Sequence, residues 1–221
     1  MPNNISNRLE ILGTDFQVNK IRDFIKGEPD KDGSERYIDF NKIIKRPEEL
    51  DITSNGYTDA LQLLLFDTGK SNDRLTVDHA RDRVQKLNPI ELREHFNTAL
   101  KLQENLANFG HCNWYTWSVE NWGTKWNAFC QSSDSNNVLF FGTAWSGVPE
   151  LMTKLSKIFP EVILKYSCMD YYDEWVFEIK NGEILSEKRK DVVMIPVAKP
   201  KSEQEQNIIK VKTNEKDNAV G

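Results

Sequence analysis

Between His111 and Trp126 the chain reads His-Cys-Asn-Trp-Tyr-Thr-Trp-Ser-Val-Glu-Asn-Trp-Gly-Thr-Lys-Trp. Four of its six tryptophans, Trp114, Trp117, Trp122 and Trp126, crowd here around one glycine and one lysine. Indole rings bury large areas and carry an N–H that needs a partner. Asn121, Thr124 and Lys125 set amide, hydroxyl and ammonium groups beside Trp122 and Trp126, a pattern that suits a base, a peptide or an anionic group. With Trp145 further along, these six residues are the candidate binding set. The competing use is structural: Trp122 and Trp126 anchor the packing, and Gly123 supplies a positive-φ turn. Clustered tryptophans ahead of a strand are mostly core, so the structural use carries more weight.

Other chemistry-bearing residues give weaker patterns. His111 and Cys112 invite a nucleophile-and-base reading, but neighbours on an extended chain point to opposite faces. His79 and His95 fall in helical stretches among charged residues and read as solvated. Asp170, Asp173 and Glu174, interleaved with Tyr171 and Tyr172, form an acidic turn, read as a hairpin rim ahead of a cation site. Lys42, Lys45 and Arg46, and later Lys188, Arg189 and Lys190, are short basic clusters read as solvated faces. No catalytic residue, metal site or cofactor is assigned.

The elements that must position these residues follow from periodicity. Ile5 to Leu12 alternates as a strand ended by Gly13. Thr14 with Gln17 forms a capping-box pair, opening a helix with Val18, Ile21, Phe24 and Ile25 inward. Tyr37 to Ile44 is extended in character. From Tyr57 to Phe109 the period is helical. Ala60, Leu61, Leu64 and Leu65 make one helix; Thr76 caps a second with Val77, Ala80, Val84 and Leu87 inward. Asn88, Pro89 and Glu91 open a third that closes at Gly110. Ala128–Ser132 and Val138–Trp145 pair as a hairpin across Ser133–Asn137, and the second strand, apolar on both faces, is central. Pro149 opens a helix carrying Val148, Leu151, Met152, Leu155 and Ile158. Val162, Leu164 and Tyr166 alternate, then Trp175, Phe177 and Ile179, with Asn181-Gly182 a type I′ turn.

Without the middle helices this is strand, helix, strand, strand, helix, strand. The fold expected is α+β: a ferredoxin-like, split βαββαβ antiparallel sheet, with a helical insertion at about 57–109 and a further hairpin after the fourth strand. The domain would span 1–192, and 193–221, poor in apolar residues, would be a mostly disordered tail. The 221 residues carry a net charge of -5 and a pI near 5.4, which argues against binding nucleic acid through a broad basic face. Three cysteines without C-x-x-C spacing make neither a disulfide framework nor a zinc module and point to a reducing compartment. The first residues lack a signal-peptide pattern, and no apolar run reaches the roughly 20 residues a bilayer span needs. A cytoplasmic protein is the expectation.

Several strings together resemble the YubB-type ferredoxin-like family of phage and plasmid proteins. They are Asn7-Arg8-Leu9 with Gly13, Phe40-Asn41-Lys42-Ile43-Ile44 with Pro47-Glu48-Glu49-Leu50, Asn121-Trp122-Gly123-Thr124-Lys125-Trp126, and Thr143-Ala144-Trp145-Ser146. The resemblance covers about residues 1 to 190. It implies the ferredoxin-like topology, with no iron–sulfur ligand set, and transfers no catalytic residue. The expectation it supports is an accessory protein of a mobile genetic element that acts without catalysis. It would bind a macromolecular partner, a protein first of all, with a host-defence protein as one such partner. The alternative is a single-stranded nucleic-acid-binding module that displays sheet aromatics to bases.

Overall fold

The computed structural model describes residues 3–29, 33–66, 75–170 and 172–191, and the backbone of 193–194 and 211–212. The chain divides into two compact units. The first comprises Met1–Lys45 and Asn121–Gly221, the second Arg46–Glu120.

The first unit is an α+β body on a six-stranded antiparallel sheet. Its strands are β1 (Asn4–Leu12), β2 (Phe129–Ser135), β3 (Val138–Ala144), β4 (Ile163–Met169), β5 (Asp173–Lys180) and β6 (Glu183–Asp191). They lie in the order β2-β3-β1-β4-β5-β6, so the terminal hairpin continues the same sheet. Helix α1 (Asp15–Ile25) follows β1, and α7 (Pro149–Ile158) follows β3. Alternation explains the layering. Ile5, Asn7, Leu9 and Ile11 are buried, and the register sets them beside Thr143, Phe141 and Leu139 of β3 and Cys168, Tyr166 and Leu164 of β4. Val18, Ile21 and Ile25 of α1 and Leu151, Met152 and Leu155 of α7 are buried too. The opposite sheet face carries Arg8, Glu10, Phe140, Lys165 and Glu178, with Arg8–Glu10 and Lys165–Glu178 ion pairs at 2.9 and 3.8 Å.

Local signals act where they stand. Thr14 accepts from Gln17 N while the Gln17 side chain accepts from Thr14 N, closing the capping box. Asn181 and Gly182 take φ of 49° and 79°, as a type I′ turn requires. Two readings change. The β2–β3 turn is tighter than 133–137: Ser133 to Ser135 stay in the strand, and two residues, Asn136 and Asn137, make the turn. Tyr37–Ile44 is not simply extended, because Phe40–Ile43 forms one helical turn, α2. Asp39 accepts from Asn41 N to cap it, and Ile38 is tied to the Gln131 side chain.

The second unit is helical: a 3-10 turn at Glu48–Leu50, then α3 (Gly56–Phe66), α4 (Val77–Val84) and α5 (Pro89–Phe109), with α6 (Trp114–Trp122) running on across its boundary. Asn88 caps α5 with Pro89 at its first turn, and Gly110 ends it at φ 73°. The inward stripes are narrower than the periodicity suggests. Leu65 and Val77 are exposed, and Ala80 carries α4; Ile158 of α7, in the first unit, is exposed as well. The tryptophan-rich stretch after Gly110 forms a helix, capped by Asn113 accepting from Tyr115 N. Among the described residues no helix is long and apolar enough to cross a membrane. Val193–Met194 pairs antiparallel with Val211–Lys212. The rest of the stretch read as a disordered tail, 195–210 and 213–221 with residue 192, lies outside the described residues.

Candidate functional site

The six candidate residues divide into two groups. Trp122 is 1% exposed, its Nε1 donates to Ile44 O at 3.0 Å, and its ring meets Phe40 edge-on at 5.9 Å. Thr124 is equally buried; its hydroxyl donates to Ala144 O and accepts from Ala144 N, closing the end of β3 where β2 no longer reaches it. Asn121 is half-buried, and its carbonyl accepts from Lys154 Nζ at 3.5 Å. These three hold the fold. Trp126 and Trp145, by contrast, are 39% and 49% exposed. Lys125 Nζ lies 4.8 Å from the Trp126 ring centroid and 5.3 Å from that of Trp145, inside the cation–π range for both.

The exposed group extends onto the sheet. Trp126 meets Phe129 edge-on at 6.3 Å. Phe129 lies over Gly142, where a Cβ would stand 2.6 Å from the ring. Phe140, two residues back on β3 and therefore on the same face, is 37% exposed and pairs in register with Arg8. Trp145, Lys125, Trp126, Phe129 and Phe140 thus make one aromatic strip with a cation near one end. Phe129 and Phe140 carry no sequence signal of their own, because β3 sets apolar residues on both faces and alternation cannot say which face is covered.

Trp145 has φ 73°, a left-handed backbone that a bulky L-residue rarely adopts and that costs about 1–2 kcal/mol. Its neighbours enforce it. Trp145 N donates to Asn3 O at 2.7 Å, Thr143 Oγ1 donates to Ser146 O at 2.6 Å, and Ser146 Oγ donates to Gly123 O. Beneath lies a buried network. Asn7 Nδ2 donates to Thr143 Oγ1 at 2.9 Å, Tyr166 OH donates to Asn7 Oδ1, and Val148 N donates to Tyr166 OH at 2.7 Å. Gly147 fits only because it lacks a Cβ, which would lie 2.7 Å from Cys168 Cβ and 2.9 Å from Tyr166 OH.

Two stability results follow. Trp126→Ala costs about 1–2 kcal/mol, well short of a buried tryptophan, because much of its ring is already in water. Trp145→Gly stays within about 1 kcal/mol of wild type, as relief of the left-handed strain offsets the added chain entropy. Urea unfolding of the two variants measures both; a loss as large as that of a core residue in either would show its ring to be packed. The network also sets an alkaline limit. Burial pushes the Cys168 thiol up to about 11 from 9.0, and burial raises the Tyr166 phenol well above 10.0. The unfolded chain therefore ionises first, so stability holds below pH 9 and falls as pH rises through 11. Unfolding free energies between those values should decline, less steeply in Cys168→Ala.

The other sequence candidates are not brought together as reactive groups. His111 Nε2 lies 3.5 Å from Glu120. His95 is not simply solvated: it stacks on Tyr57 at 5.6 Å and shares a hydrogen bond with Thr58. Asp170 accepts from the backbone N–H of Tyr172 and Asp173, which lowers its pKa and makes the acidic turn a hairpin closure. Arg189 forks onto Asp173 at 2.8 and 2.9 Å. Arg46 is held by Asp51 and Ser118. Among the described residues no group of three His, Cys, Asp or Glu is placed to hold a metal ion.

No family model matches the sequence, and no curated protein matches it. Among solved structures the chain is similar to the crystal structure of a protein api92 from Yersinia pseudotuberculosis, of the family DUF1281. The identity is 12% and the TM-score 0.39, over 90% of this chain and 100% of that one. A likeness at that level transfers no residue and no activity.

Proposed function

We propose that this chain is a non-catalytic accessory protein that binds a macromolecular partner, in the first place a protein, through the strip of Trp145, Lys125, Trp126, Phe129 and Phe140. One observation carries the reading. Trp145 is half in water and sits on a left-handed backbone, so folding alone gives little reason to keep a tryptophan there. Strain held by surrounding hydrogen bonds clusters at binding and active sites, and tryptophan is enriched among the residues that dominate the energetics of protein interfaces. The order β2-β3-β1-β4, with α1 after β1 and α7 after β3, supports reading the core as ferredoxin-like. The setting in a mobile element, a host-defence partner and a cytoplasmic location rest on the sequence resemblance and on cysteine usage.

The test is capture from plasmid-bearing or phage-infected cells with the full chain and with a Trp126→Ala/Trp145→Ala variant of unchanged circular dichroism. A partner retained by wild type and lost by the variant is expected. The same partner on both would remove the strip from the interface.

A second reading, a single-stranded nucleic-acid module, draws on Phe140 and Arg8 side by side on the open sheet face. Salt-dependent retention on a single-stranded oligonucleotide, lost in Phe140→Ala, would favour it. Duplex DNA is another matter. With a net charge of -5 and Arg46 committed to Asp51, arbitrary duplex should bind no tighter than about micromolar at physiological salt. Tighter binding that weakens when Lys42, Lys45 and Arg46 are neutralised would overturn that expectation.

A further inference from the structure

Two indole rings converge on one ammonium group. Lys125 Nζ is 4.8 Å from the Trp126 centroid and 5.3 Å from that of Trp145. The face of an indole is the electron-rich side of its quadrupole, so a cation is drawn to it and an anion is not. The second ring reaches this position only through the left-handed backbone at Trp145, locked by the bonds to Asn3 and between Thr143 and Ser146. The fold thus sets two π faces, one of them on a backbone held in place by hydrogen bonds, around the positive charge of one lysine.

The surroundings have matching charge. The register puts Ala144, the residue before Trp145, opposite Asn4 at the start of β1, and the same end of the sheet continues through Met169, Glu174 and Lys190. With strands about 4.8 Å apart, β4 lies about 10 Å across the sheet from β3, β5 about 14 Å and β6 about 19 Å. That end holds the carboxylates Asp170, Asp173, Glu174 and Asp191 against Arg189, already forked onto Asp173, and Lys190, which pairs in register with Glu174. Backbone N–H groups hold Asp170 ionised. The chain as a whole is acidic, at -5. An anionic partner would meet repulsion along this end; a basic one would be steered to it.

We propose that Trp126 and Trp145 form a clamp for a lysine or arginine side chain of a basic protein partner, that Lys125 fills the clamp in the free chain, and that binding displaces it. This deepens the partner-binding reading and rests on it, naming the chemistry of the partner's surface. Lys125 is an internal competitor: its ammonium returns to water as the incoming cation takes its place. Removing it should therefore strengthen binding, the opposite of what a lysine that contacts an anion would do.

The full chain and Lys125→Ala are titrated with tetramethylammonium chloride and with a lysine-rich peptide, following the Trp126 and Trp145 indole N–H signals by NMR. Both probes should shift those two signals, and Lys125→Ala should bind several-fold tighter than wild type. Adding Trp145→Ala should abolish the shifts, and Trp145→Phe, which keeps a π face, should restore part of them. Weaker binding in Lys125→Ala, or no shift with either cation, overturns the clamp. So does a glutamate-rich peptide or a single-stranded oligonucleotide that shifts both indoles and loses its effect in Lys125→Ala. The glutamate-rich peptide result would leave partner binding standing, whereas partner capture unaffected by Trp126→Ala/Trp145→Ala would remove that reading itself.

Discussion

Trp122→Ala lowers the free energy of unfolding by about 3–5 kcal/mol, the range for deleting a buried large aromatic. The ring is 1% exposed and packs edge-on against Phe40. Its removal leaves a cavity that the surrounding sheet and α2 cannot close. It also leaves Ile44 O without the 3.0 Å donor that satisfies it, and a buried acceptor without a partner adds about 1–3 kcal/mol. Trp122→Phe fills part of the volume and restores no donor, so it should fall between. Denaturant midpoints at constant m-value decide the matter, and a Trp122→Ala loss no larger than that of Trp126→Ala would contradict the packing described.

The second large effect is at Asn7. Asn7→Leu keeps the branched heavy-atom shape and removes the hub of the buried network. Tyr166 OH loses its acceptor, and Thr143 Oγ1 loses its donor at 2.9 Å. A buried phenol hydrogen without an acceptor, and a buried hydroxyl reduced to its bond with Ser146 O, put the cost at about 2–4 kcal/mol. Tyr166→Phe alone should cost about 1–3 kcal/mol, since it strands Val148 N and Asn7 Oδ1. Because both changes break the same bond, the double variant should cost clearly less than their sum. Strict additivity in that cycle would mean the two side chains act independently.

Much of the architecture is legible in the sequence for local reasons. Thr14 with Gln17, Asn88 with Pro89 and Glu91, and Asn181-Gly182 each fix their own backbone. Reading fails where long-range contacts decide. Phe40–Ile43 turns helical because Asp39 caps it and the Gln131 side chain, far along the chain, holds Ile38. Trp122 and Trp126 look alike in the motif, yet one ring is sealed against Phe40 while the other lies on the open sheet face. A type and a spacing say that rings will cluster; they do not say which ring faces water. Trp145 carries no signal of its left-handed backbone, because that geometry comes from Asn3 and from the Thr143–Ser146 bond.

The position of β1 has a consequence for synthesis. It is the first strand made, yet both of its neighbours, β3 and β4, come from beyond residue 137, and the Asn7–Thr143 bond spans 136 positions. At ribosomal speeds of about 5–20 residues per second, β1 waits on the order of ten seconds for a partner. Meanwhile Arg46–Glu120, whose contacts are closer in sequence, can form first. Nascent chains stalled before β3 should therefore be cut by protease ahead of residue 46 and protected after it, and those carried past β4 should gain protection at β1. Ile5, Leu9 and Ile11 stay uncovered through that interval, which makes the first strand the segment where a holdase chaperone would engage the growing chain.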